Sequence, residues 1–285
     1  MRLSQILAMC SSISKQALMQ LRQTTGYPML ACRQALSRCN GDVSEAKAWL
    51  DERAQAEGWA KAEKLIDRTA RQGLLGIVQR VASPNCLSLL ELRCETDFVA
   101  RTARFQTLLS EACNSLADNF IASAPQGVTL VPQDRLLGLK LGGSSLADCV
   151  ASLVGSVGEN IICGRALVFN AQPDSLALYC HSPWQAEPDA HPLQQSETGS
   201  CQFGRYAAAV AYSGGSEQLA YQMCQHIVGR NPARLDSPQP NPDPESEDAL
   251  LRQEFLLNET RLVGDVLQEA GMQVAGFFRL KCAEE

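Results

Sequence analysis

Apolar residues recur at helical spacing in the first quarter of the chain and then give way to continuous and alternating apolar runs. In 15–24, Ala17, Leu18 and Leu21 share one helical face, and Gly26 ends the segment. Pro28 suits the first turn of a second helix over 29–38, where its missing N–H costs nothing. Asn40-Gly41 breaks the chain, and Asp42 with Glu45 predicts a capping box for a third helix. Val43, Ala46, Trp49 and Leu50 form the apolar face of that helix, so 15–57 reads as a small three-helix bundle. A polar helix follows over 57–71 as a connector, giving 58–72 as the link to a core.

The core begins with a strand over 74–82, a turn at Ser83-Pro84-Asn85, and a hydrophobic run, Cys86 to Arg93, that reads as a mostly buried strand. At Cys94-Glu95-Thr96-Asp97-Phe98-Val99-Ala100-Arg101 the period changes: Val99, Phe105, Leu108, Leu109, Ala112 and Leu116 predict a helix from Asp97 to about Asn119. Thr96 can cap that helix, and Asp97 suits the positive end of its dipole. Phe98 is the odd residue, because a large apolar side chain in an exposed first turn has little core to enter. On local pattern it reads as a staple between helix and sheet.

Further on, 124–143 is interrupted by Gly and Pro and favours no single element. Ser145-Leu146-Ala147-Asp148 predicts another capping box, Gly158 a helix stop, and Leu167-Val168-Phe169 a strand. Strands over 176–181 and 204–212, a helix over 218–228, a helix capped by Thr260 and ended by Gly271, and a last strand over 273–281 complete the pattern. Between them, 182–202 reads as a flexible surface loop and the Pro-rich 237–246 as a linker. The expected fold class is α+β: a three-helix bundle, then two core subdomains over 73–171 and 172–285 with antiparallel sheets flanked by helices.

Composition changes this picture little: of the 285 residues, 45% are hydrophobic and 20% charged, as in ordinary globular proteins. No apolar run approaches the ~20 residues that span a bilayer, so no membrane partner is expected. The twelve cysteines are scattered, with neither Cys-x-x-Cys pairs nor clustered histidines, so no metal is expected and the thiols read as reduced and mostly buried. Charge is uneven. Residues 1–80 hold twelve Lys/Arg against seven Asp/Glu, a net +5; the remainder holds thirteen against twenty-four, a net −11. That distribution lacks the concentrated basic face of a nucleic-acid binder and fits one complementary patch on an acidic protein partner. Residues 1–14, with Arg2, several serines and no acid, read either as a short transit peptide or as a frayed tail.

Candidate chemistry is sparse. Glu95 and Asp97 at a helix start point to different faces, and Cys94 at the end of a hydrophobic strand reads as buried and inert. Gly-x-x-x-x-Gly-Lys-Ser/Thr and Gly-x-Gly-x-x-Gly are both absent, so no nucleotide cofactor is expected. Among the three histidines, His191 lies in the loop, His226 follows an apolar helix face, and His181 ends a strand.

The octet around Thr96-Asp97-Phe98-Val99 resembles the nucleotide-exchange corner of the elongation factor Ts family. Three other passages resemble that family in the same order. They are Leu21-Arg22-Gln23-Thr24-Thr25-Gly26-Tyr27-Pro28-Met29-Leu30 onward, Val157-Gly158-Glu159-Asn160-Ile161-Ile162, and Gln253-Glu254-Phe255-Leu256-Leu257 with Val274-Ala275-Gly276-Phe277-Phe278-Arg279. The bundle is similar to the family's ubiquitin-associated-like opening module. No heptad-rich hairpin of the bacterial kind appears, so the chain resembles the mitochondrial branch.

The resemblance implies a guanine-nucleotide exchange factor for elongation factor Tu, acting on a partner GTPase rather than as an enzyme. It implies a monomer forming a heterodimer with GDP-bound and nucleotide-free elongation factor Tu, in the mitochondrial matrix or, alternatively, a bacterial cytoplasm. It assigns exchange to Thr96, Asp97, Phe98 and Val99, and docking to Arg22, Met29, Leu30, Arg33, His181, Leu256 and Leu257. Without it, Met29 and Leu30 read as bundle core, Arg22 and Arg33 as solvated charge, and Leu256 and Leu257 as core packing. Two alternatives stand beside it: a non-exchanging adaptor or chaperone of elongation factor Tu, and a ubiquitin-binding module confined to 15–57.

Overall fold

The computed structural model describes residues 14–182, 201–239, 241, 243 and 246–284. The expected N-terminal segment lies outside them apart from residue 14. So do His191, most of the 182–202 loop, and four positions of the 237–246 linker. The chain is α+β, and its residues fall into two compact units that interleave along the sequence rather than following one another. One comprises the residues up to Gln72 with Arg93–Leu108 and Lys140–Ile162; the other comprises Gly73–Leu92, Leu109–Leu139 and the residues from Cys163 onward.

The first unit starts with helices α1 (Lys15–Thr25), α2 (Met29–Arg38) and α3 (Val43–Leu65). Ser14 caps α1, and Gly26 ends it at φ 72°, a left-handed conformation that glycine adopts without penalty. Asp42 caps α3 by accepting the Glu45 amide. Leu21, Tyr27, Cys32, Leu36, Ala46 and Leu50 form the bundle core. Helix α3 runs unbroken through 57/58, where the sequence suggested a bundle giving way to a connector. Gly58 does not interrupt it, because it is the contact point with α7 (Leu146–Val157). A Cβ on Gly58 would lie 2.3 Å from the Ala151 carbonyl oxygen, and one on Gly155 would lie 2.5 Å from that of Ala54. Two glycines thus let two helix backbones touch. Lys61 donates to the Gly155 carbonyl (3.0 Å) and the Trp59 indole to Asp148 (3.2 Å) along the same seam. Helix α7 carries the expected Ser145–Asp148 capping box and ends at Gly158.

The second unit is built on β1 (Gln72–Arg80), β2 (Ser83–Cys94), β3 (Gly127–Leu130), β6 (Ile162–Asn170) and β8 (Gln202–Gly204), in the order β3-β6-β2-β1-β8. Strands β4 (Lys140–Leu141) and β5 (Ser144–Ser145) form a separate small hairpin in the first unit. The β1–β2 turn falls at Val81-Ala82, two residues before the expected Ser83-Pro84-Asn85, which already belongs to β2. Strand β9 (Tyr206–Ser213) lies between β7 (Ser175–His181) and β12 (Gln273–Lys281) in an antiparallel three-stranded sheet.

The alternation of β9 explains its layers. Ala207, Ala209 and Ala211 pack with Leu75, Leu87, Leu89, Phe169 and Phe278. Ala208, Val210 and Tyr212 instead pack with Met223, Cys224 and Ile227 of α8 (Glu217–Arg230) and Leu267 of α9 (Val263–Glu269). Strand β2 is buried on both faces, as its mostly apolar run requires, and the two polar residues within that run, Ser88 and Glu91, are buried with it. Its Ser88 donates to the Cys113 carbonyl of α5 (Ala103–Phe120). Thr260, expected to cap α9, lies instead in β11 (Asn258–Leu262), paired with β10 (Glu254–Phe255), and Leu262 takes the cap position.

Candidate functional site

The expected long helix after Thr96 is two helices. Helix α4 spans only Asp97–Ala100, and Thr102 separates it from α5 by donating to the Val99 carbonyl (2.7 Å) and accepting the Phe105 amide (3.4 Å). Thr96 caps α4 as expected, accepting the Val99 amide at 3.4 Å. Asp97 pairs with Arg101 at 2.8 Å. Val99 is buried, but Phe98 is 77% exposed and staples nothing. Its ring stands free on a short, capped corner.

That corner is held from below. The Thr96 amide donates to Glu159 Oε2 (3.0 Å) and the Thr96 hydroxyl to Glu159 Oε1 (2.7 Å). Reciprocally, the Asn160 amide donates to the Glu95 carboxylate (2.7 Å), which also pairs with Arg68 (3.0 Å). Asn160 in turn donates to the carbonyls of Ile66 (3.3 Å) and Arg68 (2.6 Å). Glu95 and Asp97 therefore serve different partners and share no proton. The Cys94 thiol is buried and donates to the Thr96 carbonyl (3.1 Å). The sequence marked Gly158 as a helix stop and Gly158-Glu159-Asn160 as part of a passage resembling the family, but not Glu159 as the partner of Thr96, since a hydrogen bond across 63 residues leaves no local trace.

In the bundle, Leu30 is 67% exposed, Arg22 and Arg33 are exposed, and Met29 is half-buried against the bundle core. The core reading fits Met29 and fails for Leu30. Leu30 lines a groove of about 220 Å³ with Tyr27, Leu50, Arg53, Lys61 and Gly155. Below it, the Tyr27 hydroxyl donates to Asp51 (2.9 Å), and Arg104 pairs with Asp51 while its guanidinium lies 4.6 Å over the Tyr27 ring. Burial pushes the Tyr27 phenol up to about 12 against the opposing pull of Arg104.

In the second unit, His181 is exposed at the end of β7, its Nδ1 3.0 Å from the Tyr179 hydroxyl. Leu256 and Leu257 are 37% and 54% exposed at the β10–β11 turn, not core as their hydrophobicity alone suggested. A buried histidine underlies them. His226 Nδ1 accepts the Leu256 amide (3.1 Å), so Nε2 carries the proton and donates to Gln253 (2.9 Å). Burial lowers the His226 pKa against the Gln253 bond that supports the charged form. Elsewhere, burial pushes the Cys163, Cys180 and Cys224 thiols up to about 12, which leaves them protonated and inert. Among the described residues no cluster of three or more His, Cys, Asp or Glu could hold a metal ion.

Residues 3–60 match the family model described as Elongation factor Ts, mitochondrial, N-terminal, and residues 95–242 match Elongation factor TS. The corner, Glu159 and His181 fall within the second span. The mitochondrial elongation factor Ts of Aedes aegypti is 35% identical over 98% of this chain and 91% of its own length. The protein of that name from Drosophila melanogaster is 35% identical over 95% and 86%. The Homo sapiens one is 33% identical over 96% and 85%.

Proposed function

The chain belongs to the elongation factor Ts family, in its mitochondrial branch, and on that premise we propose that it promotes GDP release from elongation factor Tu during mitochondrial translation elongation. The proposal includes a one-to-one complex with the GDP-bound and nucleotide-free partner, in the mitochondrial matrix. The observation that carries it is Phe98, 77% exposed on a corner whose capping residue Thr96 accepts the Val99 amide and is itself braced by Glu159. An isolated exposed aromatic needs no explanation, but one on a four-residue helix with its cap clamped by a carboxylate is an apolar probe held in a fixed direction.

An exchange factor must bind the nucleotide-free state better than the GDP-bound state, since only differential affinity shifts the equilibrium. The linkage is reciprocal: whatever the factor costs GDP in affinity, GDP costs the factor, tenfold for each ~1.4 kcal/mol. In this reading Phe98 wedges between helices of the GTPase and Asp97 disturbs the magnesium and phosphate surroundings beside it. Magnesium neutralises the phosphates, so shifting it removes the strongest hold on GDP. Thr96 and Val99 set the wedge, one as the cap and the other as the buried foot. Arg22, Met29, Leu30 and Arg33 dock the bundle; His181, Leu256 and Leu257 supply a second contact area. A preformed corner favours this, because a loop that had to order itself would spend binding energy on doing so.

The test is release of a fluorescent GDP analogue from elongation factor Tu. Burying a Phe side chain contributes ~1.5–3 kcal/mol, so Phe98→Ala should slow release by about 10- to 100-fold with the fold intact. Asp97→Ala should slow it through the magnesium site, with less effect when magnesium is chelated. If the wild type binds but release stays at the spontaneous rate, the chain is an adaptor and the corner is only a helix cap.

A further inference from the structure

We propose that Glu159 is the positioning residue of the Phe98 corner, an inference that rests on the exchange reading above and adds the element that aims the wedge. A four-residue helix cannot hold its own direction, because one turn fixes several dihedrals for a single backbone bond. The direction of Phe98 is therefore set from outside the helix: by the burial of Val99 and Ala100 on one side and, at the start of the turn, by whatever holds Thr96. Both donors of Thr96 go to one carboxylate: the amide to Glu159 Oε2 at 3.0 Å and the hydroxyl to Glu159 Oε1 at 2.7 Å. Hydrogen bonds to an ionised acceptor are roughly twice as strong as neutral ones. The Asn160 amide answers with a bond to Glu95 at 2.7 Å, so residues 95–96 and 159–160 interlock in both directions.

Glu159 is itself anchored. It follows Gly158, the left-handed C-cap of α7 at φ 76°. Helix α7 is seated on α3 through Gly58 against Ala151 and Gly155 against Ala54. Since α3 belongs to the bundle, a continuous path of packed backbone and charge-assisted bonds runs from the docking helices through α7 and Glu159 to Thr96 and Phe98. Docking of the bundle on the GTPase thus fixes where the wedge points. Glu159 touches neither nucleotide nor reacting group; it acts through Thr96.

The test uses the full chain with Glu159→Gln, Phe98→Ala and the double variant. Glu159→Gln keeps one acceptor oxygen and the side-chain volume but replaces the other acceptor with a donor. Without any partner, amide hydrogen exchange over 96–101 should become about tenfold faster, while exchange in the β2 and α8 cores is unchanged. With elongation factor Tu, release of the fluorescent GDP analogue should slow by about five- to twentyfold, and the double variant should release no more slowly than Phe98→Ala alone. That non-additivity separates aiming from general loss of stability. Thr96→Val, which removes only the hydroxyl donor, should show the same pattern in milder form and serves if Glu159→Gln unfolds. Unchanged hydrogen exchange at the corner, or a loss that adds in full to that of Phe98→Ala, overturns the proposal. A wild-type chain that leaves GDP release unaccelerated overturns the exchange reading instead, while the hydrogen-exchange result still decides the role of Glu159.

Discussion

His226 shows at the scale of one residue how burial turns a common side chain into a support. Its ring is fully buried, with one nitrogen accepting from the Leu256 amide and the other donating to Gln253. Gln253 is oriented by its own bonds to the carbonyls of Glu247 (2.7 Å) and Arg230 (3.3 Å). Burial disfavours the charged ring most, the nearby Arg230 charge opposes it as well, and a proton on Nδ1 would face the Leu256 N–H. The folded pKa is therefore lowered from 6.5, the unfolded chain binds the proton more readily, and stability rises with pH through this window. The contribution is fully present above the unfolded value and is lost as pH falls through it toward the folded one. Denaturant midpoints between pH 8 and 5 should fall more steeply for the wild type than for His226→Gln, and parallel curves would contradict the assignment. Glu91 goes the other way. Burial alone would raise its pKa, but Arg165 and the amides of Ala283 and Arg165 outweigh burial and lower it. Neither behaviour was legible from sequence, because the partners lie 27 residues from His226 and 74 to 192 from Glu91.

At the scale of elements, the contact of α3 with α7 decides what a glycine does. In an isolated helix Gly58→Ala would gain ~1 kcal/mol from propensity. Here the new methyl would lie 2.3 Å from a backbone carbonyl that belongs to another helix and cannot rotate away. Overpacking of that kind costs about 1–3 kcal/mol, so it wins. Gly58→Ala should lower the thermal midpoint, whereas an unchanged or raised midpoint would mean that the helices part easily. The same logic explains the elements that the pattern misplaced. A glycine after a polar stretch looks like the end of the bundle, yet it is where α3 is gripped. Thr102 splits the helix after the corner because its hydroxyl satisfies both a carbonyl behind and an amide ahead, a choice that apolar spacing does not register. Thr260 has the right chemistry for a cap, but it lies within β11 and its amide and hydroxyl both go to the Asn258 side-chain oxygen (3.3 and 2.7 Å).

Across the whole molecule, charge and chain order act together. Exposed Lys15, Arg22, Arg33 and Arg38, with no acid before Asp42, give α1 and α2 a basic surface on a chain of net charge −6. Steering by such a patch speeds encounter with an acidic partner and is screened by salt. The association rate with elongation factor Tu should therefore fall by about three- to tenfold between roughly 0.05 and 0.5 M salt, with a smaller fall for Arg22→Ala/Arg33→Ala. A rate indifferent to salt would place docking on apolar contacts such as Leu30 alone. The sequence by itself determined the α+β class, the three bundle helices, the capped corner at Thr96 and the capping box at Ser145, because caps, turns and apolar periods act within a few residues. Its wording also carried the family. Only the tertiary structure decided that Phe98 stays outside the core, that Leu30, Leu256 and Leu257 are surface rather than packing, and that Glu159 and His226 brace the chain beneath exposed residues. The physical reason is common to all of these: burial, clamping and helix contact depend on groups far apart along the chain, and no local pattern encodes which distant partner will arrive.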